Sequence, residues 1–218
     1  ADKTLYTKTA TLNKLSFTVA NGEASVRAVN GATGSIVIPR KYSSAKVTTV
    51  SDAGFANMSF SSITFGNAMR EINVNGFYGC SNLTTLSLPD SMVTLGDHAF
   101  DSCTGVTAIN FAEGVKNIGI LAFAAMNSLK TITLPESATN FGWGTFVNCK
   151  ALSTCKLPSK LTTIGERMFI NCTSLSSVTL PDSLLTIGSL AFNSCYALTS
   201  ITIPNSVTSI ANEAFSVC

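Results

Sequence analysis

The apolar residues of this chain fall at spacings that return again and again. In the final copy, Leu198, Ile201, Ile203, Val207, Ile210, Ala214, Phe215 and Cys218 are apolar, and Ser, Thr and Asn fill most of the gaps. Ile201 and Ile203 lie two apart, the period of a short strand with both side chains turned inward. Pro204 ends that strand, because proline has no N–H for a ladder and starts a turn. Val207 and Ile210 predict a second short extended piece. The following Ala-Phe-x-x-Cys has apolar residues at helical offsets and predicts a single helical or 3₁₀ turn.

Phenylalanine stands at Phe77, Phe100, Phe123, Phe146, Phe169, Phe192 and Phe215, each 23 residues from the last. Three positions after each stands Cys80, Cys103, Met126, Cys149, Cys172, Cys195 or Cys218. A weaker copy runs from Ile36-Val37-Ile38-Pro39 to Phe55. A fixed period of this size marks a solenoid. One unit cannot bury its own apolar side, but stacked units share a continuous core. Strands of successive coils are expected to pair in parallel at ~4.8 Å.

The unbroken period argues for one array over residues 33–218, with an arm and cap over 1–32. Alternating strands flank Asn21-Gly22, the signal for a β-hairpin with a type I′ turn, here expected to cover the first coil. Residues 1–14 are polar and expected to be loosely held. The pattern stops within a repeat at Cys218. The expectation is a longer native array, or self-association through an uncapped C-terminal end.

Net charge is +2 with 12% charged residues, so no electrostatic footprint for nucleic acid exists. No apolar run is long enough for a spanning helix, so no direct membrane insertion is expected in this segment. Seven cysteines raise disulfide, metal and nucleophile readings. Cysteines in one column point the same way at coil spacing, whereas a disulfide needs convergent Cβ atoms about 3.8 Å apart. Met126 shares the column and cannot bridge. Cys155 aligns with Ile132 and Ile201, an inward strand slot. Buried free thiols are therefore expected.

No Cys-x-x-Cys exists, and His98 is the one histidine; a tetrahedral metal site lacks ligands. His98 sits in an outward turn slot beside Asp97 with no nucleophile placed near it. Asp90, Glu113, Glu136, Ser159, Asp182 and Asn205 share the slot after the strand-ending proline. Stacked carboxylates suit Ca²⁺, but these are also ordinary turn residues. No catalytic, cofactor-binding or metal residue is assigned, and the expectation is a non-enzyme without cofactors.

Function then has to lie on the repeat surface. One outward face is a lawn of Ser and Thr, with Thr131, Thr133, Thr154, Lys156 and Thr179 at its centre; lacking Trp, Tyr and Arg anchors, it suits weak binding of polar ligands such as glycans. On the turn side, the slots before and after Phe are polar in outer coils, as at Asp97/Asp101 and Ser189/Asn193. They are apolar in the middle ones. Ile120, Leu121, Trp143, Val147 and Ile170 form the candidate protein-contact patch. The alternative is that the turns lay Trp143 flat over local apolar surface.

The unit Leu-x-x-Ile-x-Ile-Pro-x-x-Val-x-x-Ile-Gly-x-x-Ala-Phe-x-x-Cys, as in "LTSITIPNSVTSIANEAFSVC" at residues 198–218, resembles the BspA-like, or Treponema-type, leucine-rich repeat family over roughly residues 33–218. Residues 15–38 also look like the segment that opens such arrays. The resemblance implies a mostly β, right-handed leucine-rich-repeat solenoid with a parallel sheet on one face. It implies a secreted or cell-surface bacterial protein whose partner is an extracellular protein, of host matrix or of another cell's surface. The other expectations are a spacer that carries further domains, and weak glycan binding on the Ser/Thr face.

Overall fold

The computed structural model describes residues 14–218 and, before them, the backbone of strand β1 (Thr4–Tyr6). β2 (Leu15–Ala20) and β3 (Glu23–Ala28) form the expected hairpin in uninterrupted antiparallel register. Its turn residues have the positive φ of a type I′ turn, 52° at Asn21 and 78° at Gly22. Two points correct the loose-arm expectation: β1 pairs antiparallel with β2, and Lys14 Nζ donates to the Thr33 carbonyl at 2.6 Å. The rest of residues 1–13 lies outside the described residues.

The array starts with β4 (Thr33–Val37), β5 (Lys41–Tyr42), β6 (Ala45–Val50), β7 (Ser59–Thr64) and β8 (Glu71–Ile72). Each later coil brings a three-residue and then a two-residue strand. These are β9 (Thr85–Ser87) and β10 (Thr94–Leu95), β11 (Ala108–Asn110) and β12 (Asn117–Ile118), β13 (Thr131–Thr133) and β14 (Asn140–Phe141). β15 (Thr154–Lys156) and β16 (Thr163–Ile164), then β17 (Ser177–Thr179) and β18 (Thr186–Ile187), follow. In the last coil only β19 (Ser209–Ile210) is a strand.

The molecule is a mostly β solenoid of about eight turns. Two parallel ladders run along it. The first is β4–β7, β9–β11 and β13–β15–β17; the second is β3–β6–β8–β10–β12–β14, then β16–β18–β19. The hairpin thus covers the first coil by continuing the second ladder.

The third side of each coil departs from expectation. No helix or 3₁₀ segment occurs among the described residues. The Ala-Phe-x-x-Cys stretch is a run of tight turns with two left-handed residues per coil, such as His98 (φ 54°) and Ser102 (φ 62°), or Arg167 (φ 54°) and Asn171 (φ 60°). A left-handed residue cannot continue an α-helix. The N–H groups of Ala99, Asp101 and Cys103 close turns on Gly96, His98 and Phe100 at 3.2–3.3 Å. Those of His98, Phe100 and Ser102 point out of the coil instead, to the carbonyls of Ile120, Ala122 and Ala124 at 2.8–2.9 Å. Turns closed three residues back mimic helical offsets in the sequence, while every second amide binds the next coil. Left-handed non-glycine residues cost roughly 1–2 kcal/mol each, offset by these inter-coil bonds.

The core is columnar. Phe55, Phe77, Phe100, Phe123, Phe146, Phe169, Phe192 and Phe215 stack with centroids 4.9–5.9 Å apart and planes within 13°. All but Phe215 are fully buried. The cysteines are free thiols, buried except Cys218, which is exposed. Each thiol of the column donates to the carbonyl of the Phe one coil back, as from Cys103 to Phe77 and from Cys172 to Phe146, at 3.0–3.2 Å. At Phe77, Phe146, Phe169 and Phe192 the same carbonyl also accepts the N–H of its own coil's cysteine, so both lone pairs are used. Met126 has no S–H and omits this bond. Ser91, Ser137, Ser183 and Ser206 likewise tie coils together, each donating at 2.7 Å to a core carbonyl one coil back.

Burial pushes the Cys149 and Cys195 thiols up to about 12 and also raises Cys155 and Cys172. Cys103 is also raised, first by its neighbour Cys80 and then by burial, while the same pairing lowers Cys80.

Coil spacing is set by glycine. A Cβ on Gly119, Gly142 or Gly188 would lie 2.3–2.6 Å from a backbone atom of the preceding coil. The ladders are nonetheless interrupted, after β7, β11, β14 and β17. The first three gaps each follow a coil with Phe in an inward strand column otherwise held by aliphatics. Phe65 and Phe111 replace the residue of Leu88, Leu134 and Leu157; Phe141 replaces that of Leu95, Ile118, Ile164 and Ile187. Each of these three rings stands at the coil after which its ladder breaks. The gap after β17 has no such residue, and nothing in the structure explains it.

Three outcomes are expected. Phe146→Ala removes a ring stacked on both sides and should lower stability by about 3–5 kcal/mol, measured by urea unfolding. Gly142→Ala should destabilise, whereas Gly165→Ala, whose Cβ would meet nothing nearer than 3.9 Å, should be neutral or stabilising by up to ~1 kcal/mol. Thiols held neutral in the fold have raised pKa values, so their contribution is complete below the ordinary value of 9.0 and lost as pH rises toward about 12. The urea midpoint should therefore fall across that alkaline window, and less so in a variant with Cys149 and Cys195 changed to Ala.

Candidate functional site

Chemistry on the cysteines is disfavoured by their setting. A nucleophilic thiol needs an exposed, electropositive environment; all but Cys218 are buried, and Cys149, Cys155, Cys172, Cys195 and Cys218 are raised by burial. Among the described residues no three His, Cys, Asp or Glu side chains cluster to hold a metal ion.

His98 has a carboxylate partner, but not its neighbour Asp97. Its Nδ1 lies 2.8 Å from Asp101 Oδ2, and Ser102 Oγ donates to Asp101 Oδ1 at 2.8 Å. A nucleophilic serine must reach the imidazole; here it reaches the acid, so the trio is a turn brace. Asp97 Oδ1 instead accepts the Ile120 N–H at 2.8 Å. In the acidic column, Glu136 Oε2 accepts both the N–H and the hydroxyl of Ser159 at 2.7 Å. Those two bonds hold its carboxyl below the usual range. Glu136, and Glu113 through the Ser137 N–H at 3.4 Å, thus cap the turn of the next coil.

The turn-side patch is more substantial. Trp143 is 42% exposed; Ile120, Leu121, Val147 and Ile170 are half-buried, and Ala124 is buried. The five lie on three successive coils joined by backbone bonds, Leu121 N–H to Trp143 O at 3.1 Å and Asn148 N–H to Ile170 O at 3.0 Å. Gly144 is the hinge of the group. It occupies the left-handed slot (φ 65°), and a Cβ there would meet Val147 Cγ2 at 2.8 Å and Leu121 Cδ2 at 2.9 Å. Those two side chains close over it, so apolar surface continues from one coil to the next.

Arg167 completes the patch and was not among the expected residues. Its guanidinium carbon lies 5.9 Å from the centre of the Trp143 ring, and Nη1 pairs with Glu166 Oε1 at 3.0 Å. Arg167 occupies the left-handed slot one coil on from Gly144, so the column itself held the signal. Trp143 is therefore partly exposed with a cation beside it.

The Ser/Thr face also forms as drawn. Thr131, Thr154 and Ser177 pair across β13–β15–β17, as do Thr133, Lys156 and Thr179, and all are exposed. Beside it lies a depression of about 520 Å³ lined by Glu136, Lys156, Ser159, Thr179 and Asp182. Among the asparagines of glycosylation-like Asn-x-Ser/Thr triplets, Asn171 has a structural partner: its Nδ2 donates to Asn148 Oδ1 at 3.0 Å.

A model of the BspA type leucine rich repeat region matches in six copies, over residues 34–153 and 93–218. No curated protein sequence matches the chain. Among solved structures, a Treponema pallidum leucine rich repeat protein is 25% identical with a TM-score of 0.80, covering 84% of this chain and 87% of that one. A Bacteroides ovatus leucine-rich repeat protein is 22% identical with a TM-score of 0.63, covering 90% of this chain and 54% of that one. A leucine rich cell surface protein of Faecalibacterium prausnitzii is 17% identical with a TM-score of 0.53, covering 100% and 93%. The repeat, the paired ladders and the family match agree: the chain belongs to the BspA-type leucine-rich repeat family.

Proposed function

We propose that this solenoid is a non-enzymatic, surface-located scaffold that binds an extracellular protein, of host matrix or of another cell, through the patch around Trp143. The observation that carries the reading is the exposed indole beside Arg167, continuous with apolar Leu121 and Val147 over Gly144. Tryptophan and arginine are the side chains most enriched at binding hot spots. Elsewhere the same columns are polar or acid, as at Asp97, Glu166 and Ser189, which supplies a polar rim. A surface location agrees with a relative named a leucine rich cell surface protein.

The test is binding of the purified chain to immobilised matrix proteins and to intact bacterial cells, by biolayer interferometry and cell pull-down. Trp143→Ala should weaken the interaction at least about tenfold, the scale of a hot-spot side chain, without altering the unfolding midpoint. Ser189→Ala, in the same column two coils on, should leave affinity unchanged. Equal binding by the wild type and Trp143→Ala would overturn the patch.

A further inference from the structure

We propose that the gap in the second ladder between β14 and β16 is a binding site for a neutral saccharide, separate from the Trp143 patch. At the next junction of this ladder, Thr186 N–H reaches Thr162 O at 3.2 Å and Gly188 N–H reaches Ile164 O at 2.9 Å. At the β14–β16 junction the equivalent bonds are missing. The carbonyls of Thr139 and Phe141 and the amides of Thr163 and Gly165 have no hydrogen-bond partner among the described residues. The widening shows directly at glycine. A Cβ on Gly165 would lie 3.9 Å from Gly142 O, where the same column elsewhere gives 2.3–2.8 Å to the nearest backbone atom.

The side chains at the gap are also left open. A polar chain runs up the ladder, Asn117 Nδ2 to Thr94 Oγ1 at 3.4 Å and Asn140 Nδ2 to Asn117 Oδ1 at 2.7 Å. It stops there. On the far side Thr163 Oγ1 accepts from Thr186 at 3.0 Å, which leaves its own hydrogen, and Asn140 Oδ1, facing the gap unbonded. Phe141 lies half-buried in the wall. The groove measures about 550 Å³, inside the range of roughly 300–1,000 Å³ for small-molecule sites.

This combination selects a ligand class. The groove offers mixed donors and acceptors at short spacing beside the half-buried Phe141. Sugar hydroxyls both donate and accept, and the C–H face of a pyranose packs on an aromatic ring. An anionic ligand is disfavoured, since the lining holds no Lys, Arg or His and its one acid is Asp97. An extended peptide does not fit as an added strand, which needs about 9.6 Å between coils. The same two coils remain joined on either side of the gap, through Leu134 N–H to Lys156 O at 3.0 Å and Gly144 N–H to Glu166 O at 2.9 Å.

The experiment is a saturation-transfer and chemical-shift titration of the whole chain with methyl glycosides of neutral hexoses and N-acetylhexosamines, with sialic acid as the anionic arm. At least one neutral sugar should bind, with shifts centred on Thr163 and Gly165, and sialic acid should not. Phe141→Ile removes the aromatic wall, and Gly165→Val fills the groove from a position with room for a side chain. Each should weaken binding at least about tenfold, while Trp143→Ala leaves it unchanged. The proposal is overturned if no neutral sugar binds the wild type, if sialic acid binds as well as any neutral sugar, or if binding survives both groove variants.

Discussion

Everything in this molecule depends on the distance between coils. Backbone amides of one turn must meet carbonyls of the next, which sets a separation of ~4.8 Å and admits only side chains that stack at that spacing. Phenylalanine rings lie face on face within 13° of parallel. Thiols are small enough to fill the next column and still bond the carbonyl one coil back. Glycine occupies the column where backbones approach most closely. A 23-residue period is what such a constraint leaves in a sequence.

That constraint explains which parts were legible. The Phe and Cys columns, the inward strand pair with Cys155 among them, the second extended piece and the Asn21-Gly22 hairpin were readable because each is a local preference repeated in register. The turn side was misread as helical for a physical reason. Turns closed three residues back place apolar groups at offsets close to a helix's, and nothing in Ala-Phe-x-x-Cys announces that His98, Leu121, Arg167 and Leu190 take φ near 55°. Such residues are rarely left-handed alone; the inter-coil amide bonds impose it. The patch residues were found because a column of mostly polar letters turned apolar. Arg167 was passed over because it is charged and its role depends on a ring one coil away.

The gaps in the ladders teach a different lesson. A repeat alignment averages over the positions where copies differ, and three of the four gaps coincide with such differences. Phe65, Phe111 and Phe141 each stand where other coils hold an aliphatic residue, apolar for apolar. In a close-packed column the relevant property is thickness along the stacking axis, not hydropathy. The Phe stack tolerates rings because every member is one. A single ring among Ile and Leu has no ring above or below it in its own column, and the ladder is interrupted at each such place.

Function in a solenoid of this kind is therefore sought where the copies disagree. The consensus unit spends its apolar residues on the core and its amides on neighbouring coils, and leaves a surface of Ser, Thr and Asn that differs little from coil to coil. Two departures fall within the same pair of coils. Trp143 and Gly144 put an indole and a left-handed glycine into slots where no other coil of the 23-residue series from Phe100 on has either, and the ladder is interrupted just after Phe141. A scaffold that repeats can change one coil without unfolding its neighbours, because each repeat contacts only the next. The sequence Phe141-Gly142-Trp143-Gly144 concentrates those changes in four residues, and there the rod stops being uniform.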